Sequence, residues 1–538
     1  MNIFDSSPWR TIRFLALLSG GLVIPLLSGC AVAQRPDADP GGIAAAPAPG
    51  ARTSVQDLSP GREINPRERQ SASVPPPPVD LWTRLREGFG LPHQTNDRIA
   101  PYLAWYRKHP AYLDRVFERA DPFLYHILEQ LEARGMPTEI ALLPVVESAF
   151  DPFAYSHGRA AGLWQFIPAT GQRFGLEQDW WYDGRRDVIA STAAALDYLQ
   201  YLHRFFDGDW MLALAAYNAG EGTVRNAVRR NRAAGKPTDF WHLALPRETR
   251  AYVPKLLALS LVVEDPARHG LELRAIANEP RIALVETHGQ LDLAVAAELA
   301  ALPLDDLYRL NPGFNQWATR PQGPHRLVLP LELAGDFAIA LAELPPERRL
   351  QWQRHEILPG ETLGHIASQY RTTVAVLRET NQIKGSTIRA GRHLLVPVAA
   401  TEAGDYRLSA GQRLARTQNR DRGGARINHV VQRGDTFWDL SRRYDVPVRS
   451  LAQWNQMAPG DTLRPGQTLV IWDRTAERRT LRTIQYQVRR GDSLARISSR
   501  FNVSVNDLIQ WNGLSRDRYL QPGQTLKLYV DVTRQAEG

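Results

Sequence analysis

With 538 residues, of which 43% are hydrophobic and 23% charged, the chain is too long for one ordinary core and too apolar to stay unfolded; domains of roughly 100–200 residues predict several. Its 39 Gly and 38 Pro follow no period and exclude a fibrous chain. Lys and Arg outnumber Asp and Glu by 65 to 57, with an isoelectric point near 9.6; this suits an anionic polymer or membrane surface without naming one, and the single Cys excludes a disulfide framework or thiolate metal site.

Arg10 and Arg13 precede an apolar run from Phe14 to Leu27. Residues 1–29 therefore read as an export signal, too short for a comfortable bilayer span. The run closes as Leu27-Ser28-Gly29-Cys30, which resembles the lipobox of bacterial lipoproteins. That resemblance implies a lipidated Cys30 as first mature residue; the plainer reading is a buried Cys in an uncleaved anchor. Acyl chains contribute ~0.8 kcal/mol per buried CH2, enough for several to hold a protein at a membrane. Ala31 rather than Asp follows, which by resemblance to Gram-negative lipoproteins implies the periplasmic face of the outer membrane. Residues 30–95 are assigned to a disordered tether, rich in Pro and Ala up to the stiff run Pro75–Pro78, with helical order returning near Leu81.

Residues 96–268 read as an α-helical globule. Ile99, Leu103, Tyr106, Leu113, Val116, Phe117, Leu124, Ile127, Leu128 and Leu131 recur at three- and four-residue steps, with breaks expected at Pro110 and Pro122. Asp187 opens a further helix, and Arg247 to Val263 forms a last long one.

Four strings in this globule are not explained by packing: Glu147-Ser148-Ala149-Phe150, with Ser156 nine residues on; Gly162-Leu163-Trp164-Gln165-Phe166; Ala216-Tyr217-Asn218-Ala219-Gly220; and Glu248-Thr249-Arg250-Ala251-Tyr252-Val253. Glu147 ends the apolar stretch from Ile140 to Val146. Scarce water there disfavours the carboxylate and keeps it a proton donor near neutrality; a solvated Glu on a helix rim is the bland alternative. In this order and spacing the strings resemble the family-one lytic transglycosylases, which share the goose-type lysozyme fold and cleave bacterial peptidoglycan. Trp164 stands where that family more often has Met, which predicts an enlarged cleft wall.

The resemblance implies that Glu147 is the catalytic residue and that Ser156, Gln165, Tyr217, Asn218 and Tyr252 line the substrate cleft. Glycoside cleavage ordinarily uses two carboxylates. Asp151, before Pro152, reads as a turn residue and Glu221 as a helix-end residue, leaving one clear candidate. One acid suffices if the substrate supplies the nucleophile: Glu147 would protonate the oxygen leaving N-acetylmuramic acid C1, then take the proton of the C6 hydroxyl as that oxygen closes a 1,6-anhydro ring. The alternatives are a lysozyme-type muramidase using the same Glu with water, or a catalytically silent glycan-binding anchor.

The C-terminal half repeats itself. His355 to Leu363, His429 to Phe437 and Tyr486 to Leu494 align, and Gly360, Gly434 and Gly491 are each followed 21 residues later by Asn381, Asn455 and Asn512. The units at 354–398, 428–472 and 485–529 read as small α+β (βααβ) folds and resemble LysM modules, which bind N-acetylglucosamine-containing glycans. Each is expected to fold alone on flexible linkers near 399–427 and 473–484, raising residence on a repetitive polymer. Trp438, Trp454 and Trp511 are either groove or core residues, and the first copy departs with Glu361 for Asp and Glu379-Thr380 for Gln-Trp. Residues 269–350 read as a connector or a degenerate fourth copy of the repeat, since Gly289, Leu310-Asn311-Pro312 and the run from Gly323 to Pro330 echo it loosely. The fold class expected is thus multidomain: a helical goose-lysozyme-like catalytic domain followed by LysM modules. The chain holds no Gly-x-x-x-x-Gly-Lys-Ser/Thr string, His-Glu-x-x-His pair or EF-hand loop, so no cofactor or metal is expected; export argues against a nucleic-acid partner. The partners expected are peptidoglycan strands and, through Cys30, a membrane.

Overall fold

Apolar side chains at helical spacing fold the block after the tether into helices. In the computed structural model, residues 80–92, 95–370, 372–473, 481–501, 503–514 and 520–531 are described; the export signal, Cys30 and the proline run lie outside them. The helical domain comprises α1 (Leu81–Glu87), α2 (Ala100–Lys108), α3 (Pro110–Glu132), α4 (Leu143–Ser148), α5 (Pro168–Arg173), α6 (Val188–Phe205), α7 (Trp210–Ala219), α8 (Glu221–Ala233) and α9 (Arg247–Glu264). One core joins them, with Phe117, Leu128, Leu143, Leu199, Leu214 and Leu257 at its centre. Helix starts are set by side-chain caps: Asp187 accepts from the Ala190 N–H at 2.8 Å, and Asp209 from that of Leu212 at 3.0 Å.

Two expectations change. The tether does not extend to residue 95, because Leu81, Trp82 and Leu85 of α1 are buried in the helical core and the Trp82 indole donates to the Arg274 carbonyl at 2.7 Å. Pro122 also does not break its helix. An interior Pro costs ~3 kcal/mol, but α3 runs unbroken through it and buries Leu113, Val116, Phe117, Phe123, Leu124, Ile127, Leu128 and Leu131, each contributing about 1.5–3 kcal/mol. Packing wins. The break expected at Pro110 is present: α2 ends at Lys108 and Pro110 opens α3, where a first-turn residue has no intrahelical N–H partner to lose.

Beyond the helical domain the chain builds βααβ units, each closed by a two-stranded antiparallel sheet. The connector contains β1 (Ile282–Glu286), α10 (Leu293–Leu299), α11 (Leu304–Leu310) and β2 (Arg326–Pro330), followed by α12 (Leu331–Glu343). The first repeat is β3 (Gln351–Glu356), α13 (Leu363–Gln369), α14 (Val374–Thr380) and β4 (His393–Val398). After α15 (Ala410–Asn419) comes the second: β5 (Ala425–Val430), α16 (Phe437–Tyr444), α17 (Val448–Trp454) and β6 (Thr468–Asp473). The third is β7 (Leu481–Gln487), α18 (Leu494–Phe501), α19 (Val505–Asn512) and β8 (Thr525–Asp531).

The constant Asn explains the constant spacing. Asn381, Asn455 and Asn512 each donate Nδ2 to a carbonyl of the last turn of the second helix and to a carbonyl of the closing strand, and accept that strand residue's N–H on Oδ1, all at 2.6–2.9 Å. Asn311 makes the same clasp in the connector, to Leu307 and Val328, at 2.7–3.0 Å. The connector is therefore a fourth βααβ unit.

The units differ in how they stand. The three repeats have cores of their own, around Ile366 and Val396, Leu451 and Ile471, and Leu508 and Leu528. The connector shares its core with Trp181 and Tyr182 of the helical domain, Val376 of the first repeat, and Tyr406 and Leu408 between the first two repeats. The segment 399–427 is consequently not a flexible linker. Tyr406 is 1% exposed and donates its hydroxyl to Asp292 at 2.9 Å, and the Ala410 N–H reaches the Asn315 carbonyl at 2.7 Å.

Candidate active site

The α4 helix is short and apolar, and it ends at an abrupt turn: Ala149 and Phe150 both take left-handed backbone conformations, φ 53° and 54°. Such residues cost about 1 kcal/mol or more each and persist where surrounding packing over-determines them. Here Phe150 is buried, with its N–H on the Pro144 carbonyl at 3.1 Å. Glu147 is thereby held in the last turn of α4, half-buried, with its carboxyl turned toward α9. Ser148 fixes the second string against α4 by donating to the Leu163 carbonyl at 3.0 Å. That string needs its glycine: at Gly162, φ +80°, a Cβ would lie 1.9 Å from the Arg185 carbonyl oxygen.

From α9, buried Tyr252 donates its hydroxyl to Glu147 Oε1, joining residues 105 apart in sequence. Burial pushes the Glu147 carboxyl up to about 7; the Tyr252 hydrogen bond opposes this, the charge of Glu248 adds to it, and Lys255 draws it back. Glu147 is thus a carboxylic acid for much of its time near neutral pH. Lys255 lies one turn beyond Tyr252 on the same helix face, and burial lowers its ammonium to about 8 against the pull of Glu248 and Glu147. Tyr217 is close enough for the Glu147 charge to add to burial in raising its phenol.

The remaining candidates bond elsewhere. Tyr217 donates to the Trp164 carbonyl at 2.8 Å, bracing the second string against α7. Gln165, at φ 50°, donates to the Gly162 carbonyl at 2.8 Å. Asn218 Oδ1 accepts from Thr249 at 2.8 Å, tying α7 to α9. Ser156 holds its own loop, accepting the N–H groups of Gly158 and Ala160 at 3.2 and 3.0 Å. Among the site candidates only Tyr252 bonds directly to Glu147.

Trp164 does not enlarge a cleft wall. Its side chain is 0% exposed and donates its indole N–H to Thr192 at 3.0 Å, so its bulk fills the helical core. Asp151 caps its own turn through the Phe153 N–H at 2.9 Å, and Glu221, in the first turn of α8, pairs with Arg173 at 3.2 Å. Gly220, φ +81°, joins α7 to α8 and closes the third string. Lys255 escaped the sequence reading, and Thr249 entered it only as part of the fourth string; their signal is helical spacing around Tyr252, at i+3 and i−3.

In the repeats, the acidic residue of the strand-to-helix loop faces inward. Asp435 accepts from the Gln432 N–H at 2.8 Å and pairs with His429 at 2.8 Å; Glu361 does the same with Leu358 and His355, at 2.8 and 2.9 Å. The first copy's Glu-for-Asp exchange therefore preserves the turn. Trp454 is core, Trp511 half-buried against Tyr529, and Trp438 59% exposed with Arg442 over its ring.

Comparison with known proteins agrees with this geometry. Residues 125–240 match the transglycosylase SLT domain; residues 355–397, 429–472 and 486–528 match the LysM domain; and residues 281–345 match the LysM-like domain of lytic transglycosylase MltD. Membrane-bound lytic murein transglycosylase D of Escherichia coli K12 is 35% identical over 457 residues, 84% of this chain and 86% of that protein. A putative tributyltin chloride resistance protein of Alteromonas sp. is 41% identical over 167 residues, 31% of this chain and 79% of that one. The crystal structure of the 70 kDa soluble lytic transglycosylase of Escherichia coli aligns over 32% of this chain and 31% of that chain, at 22% identity and TM-score 0.23. With sequence likeness along most of its length, the chain belongs to the membrane-bound lytic murein transglycosylase D family, in which a lytic transglycosylase domain is joined to LysM peptidoglycan-binding modules.

Proposed function

We propose that Glu147 carries out both proton transfers of a non-hydrolytic cleavage of the β-1,4 bond between N-acetylmuramic acid and N-acetylglucosamine. Neutral Glu147 gives its proton to the glycosidic oxygen. The C1–O bond breaks with its electron pair going to that oxygen, and the neighbouring N-acetyl group or an oxocarbenium carries the positive charge. The C6 hydroxyl oxygen then bonds to C1, its proton returns to Glu147, and the muramyl product ends in a 1,6-anhydro ring. No water is consumed.

The observation that carries this reading is the Glu147–Tyr252 pair: an acid raised toward neutrality by burial, with one of its oxygens occupied by a fixed phenol so that the other is left for the sugar. Tyr252 orients the acid, while Gln165, Tyr217, Asn218 and Ser156 shape the cleft around it. Mass spectrometry of soluble muropeptides tests the chemistry. Anhydro ends from the wild type and none from Glu147→Gln support it; reducing ends indicate a hydrolase, and absence of products a binding anchor.

The LysM modules hold the enzyme on glycan strands, and lipidated Cys30 holds it at the periplasmic face of the outer membrane. Among the described residues no helix is long and apolar enough to cross a membrane. Labelled palmitate on the wild type but not on Cys30→Ser supports the anchor; label on both variants contradicts it.

A further inference from the structure

We infer that the second LysM module and the segment leading into it act as a positioning element of the active site, holding the loop 151–161 that follows Glu147. This rests on the reading of Glu147 given above and extends it to a part of the chain otherwise assigned to binding.

The loop leaves α4 through the left-handed residues Ala149 and Phe150 and returns to the core at Ala161 and Gly162. The helical domain holds its backbone at two inner points: the Gly162 N–H reaches the Ala154 carbonyl at 3.1 Å, and Arg185 donates to the Arg159 carbonyl at 2.7 Å. Its outer flank is held by the C-terminal half. Arg159 forms an ion pair with Asp461 and donates to the Gly460 carbonyl, both in the turn after Asn455 of the second module. Asp461 is itself fixed, since its other oxygen accepts the Ala458 N–H at 2.7 Å. Arg413 of α15 lies over the Phe153 ring at 4.6 Å. The module grips α15 in turn: Gln456 donates to the Arg413 carbonyl at 3.0 Å and to Thr417 at 2.7 Å, and Gln418 donates to Asn455 at 2.8 Å.

Two features favour positioning over blocking. Tyr155, His157 and Gly158 at the tip stay exposed with the module docked, so the contact grips the flank and leaves the tip open to a glycan. Arg159 also sits at φ 67°, a conformation Gly takes without strain. What the arginine supplies there is its side chain, whose ion-pair partner lies in the LysM module. Small displacements of groups beside a reacting centre cost rate steeply, so a loop that carries Ser156 and adjoins Glu147 is a place where outside support is felt in turnover.

The test uses the full chain and a soluble peptidoglycan tetrasaccharide, too short for retention by several modules to govern its rate. Asp461→Ala, on the module surface away from the catalytic core, and Arg159→Ala are each expected to lower kcat about tenfold with little change in KM. The double variant should lose no more than either single one, and the exchanged pair R159D/D461R should recover most of the rate. An unchanged or increased kcat in Asp461→Ala overturns the inference, as does a loss confined to KM or one that the exchanged pair fails to recover. Product chemistry separates this from its premise: anhydro products at undiminished rate in Asp461→Ala defeat the positioning role alone, whereas reducing-end products from the wild type defeat the reading of Glu147.

Discussion

Glu147 and the clasp asparagines are polar side chains placed among apolar neighbours, and the protein treats them in opposite ways. Asn455 uses both Nδ2 hydrogens and its oxygen on backbone groups of its own module. These bonds join a helix end to a strand, and with Gln418 of α15 also donating to its oxygen, its chemistry is exhausted by structure. Glu147 accepts from Tyr252 alone among the described residues, and burial leaves its proton affinity raised. A satisfied polar group locks a fold, while an incompletely satisfied one remains available to a substrate. The contrast extends to number: the clasp recurs in four units, whereas the acid stands in one place.

The sharpest way to break this comparison is to neutralise the acid. Glu147→Gln keeps the shape and an acceptor for Tyr252 but cannot give or take a proton, so turnover of soluble glycan is expected to fall by about 10²–10⁴; retention of a tenth of wild-type turnover contradicts the assignment. Next comes the clasp. Asn311 is 6% exposed and lies in a core shared with Trp181 and Tyr182, so Asn311→Ala strands the Val328 carbonyl and N–H, while the Leu307 carbonyl keeps the backbone N–H of residue 311, and should lower stability by about 2–4 kcal/mol, taking the helical domain's melting with it. Asn512→Ala breaks the same clasp in the third module, where water can replace the bonds to Lys527, and about 1–2 kcal/mol confined to that module's own transition is expected. Equal losses in calorimetry would erase the distinction between fused and free-standing units.

Tyr252→Phe removes the phenol that favours the charged form of Glu147. The wild-type kcat/KM should decline as pH rises through about 7, the value to which Glu147 is raised, because the reaction begins from the acid. In Tyr252→Phe that decline should move to higher pH, with a rate loss of about tenfold at its plateau. A downward move contradicts the hydrogen bond's role. The smallest effect is on stability. The folded-state value for Glu147 lies above its unfolded value, so this group's contribution to stability is fully present below about 4.5 and is lost as pH rises through about 7. Glu147→Gln escapes that loss, and with Glu147 only partly buried it should be the more stable protein at pH 8 by roughly 1 kcal/mol, the two converging at pH 4.

Much of this was legible in the sequence where cause and signal are local. Helical spacing shows the faces that pack; the fixed interval from Gly to Asn shows the repeat because the clasp joins the same two points each time. An apolar run ending in Glu147 was enough to suggest a raised acid, and the order of four strings to suggest its neighbours. Features decided at a distance were not legible. Pro122 stays helical because the faces beside it are buried by other helices. Trp164 points into the core because Thr192 receives its indole. The segment 399–427 has a polar composition like a tether's, yet Tyr406 finds Asp292 and Arg413 finds Phe153, partners 114 and 260 positions away. The connector showed its likeness to the repeats only as a loose echo because it lacks their turn of Gly, an acid and a hydroxyl residue, and keeps the Asn and the closing strand.

The most direct test of the central claim is to titrate Glu147 itself. Infrared difference spectra of wild type against Glu147→Gln, across pH 4 to 9, isolate one carboxyl band. The account predicts a protonated C=O signal that persists past pH 6 and is half lost near pH 7. A signal already gone by pH 5 would mean an ordinary solvated carboxylate, and with it no acid to begin the reaction.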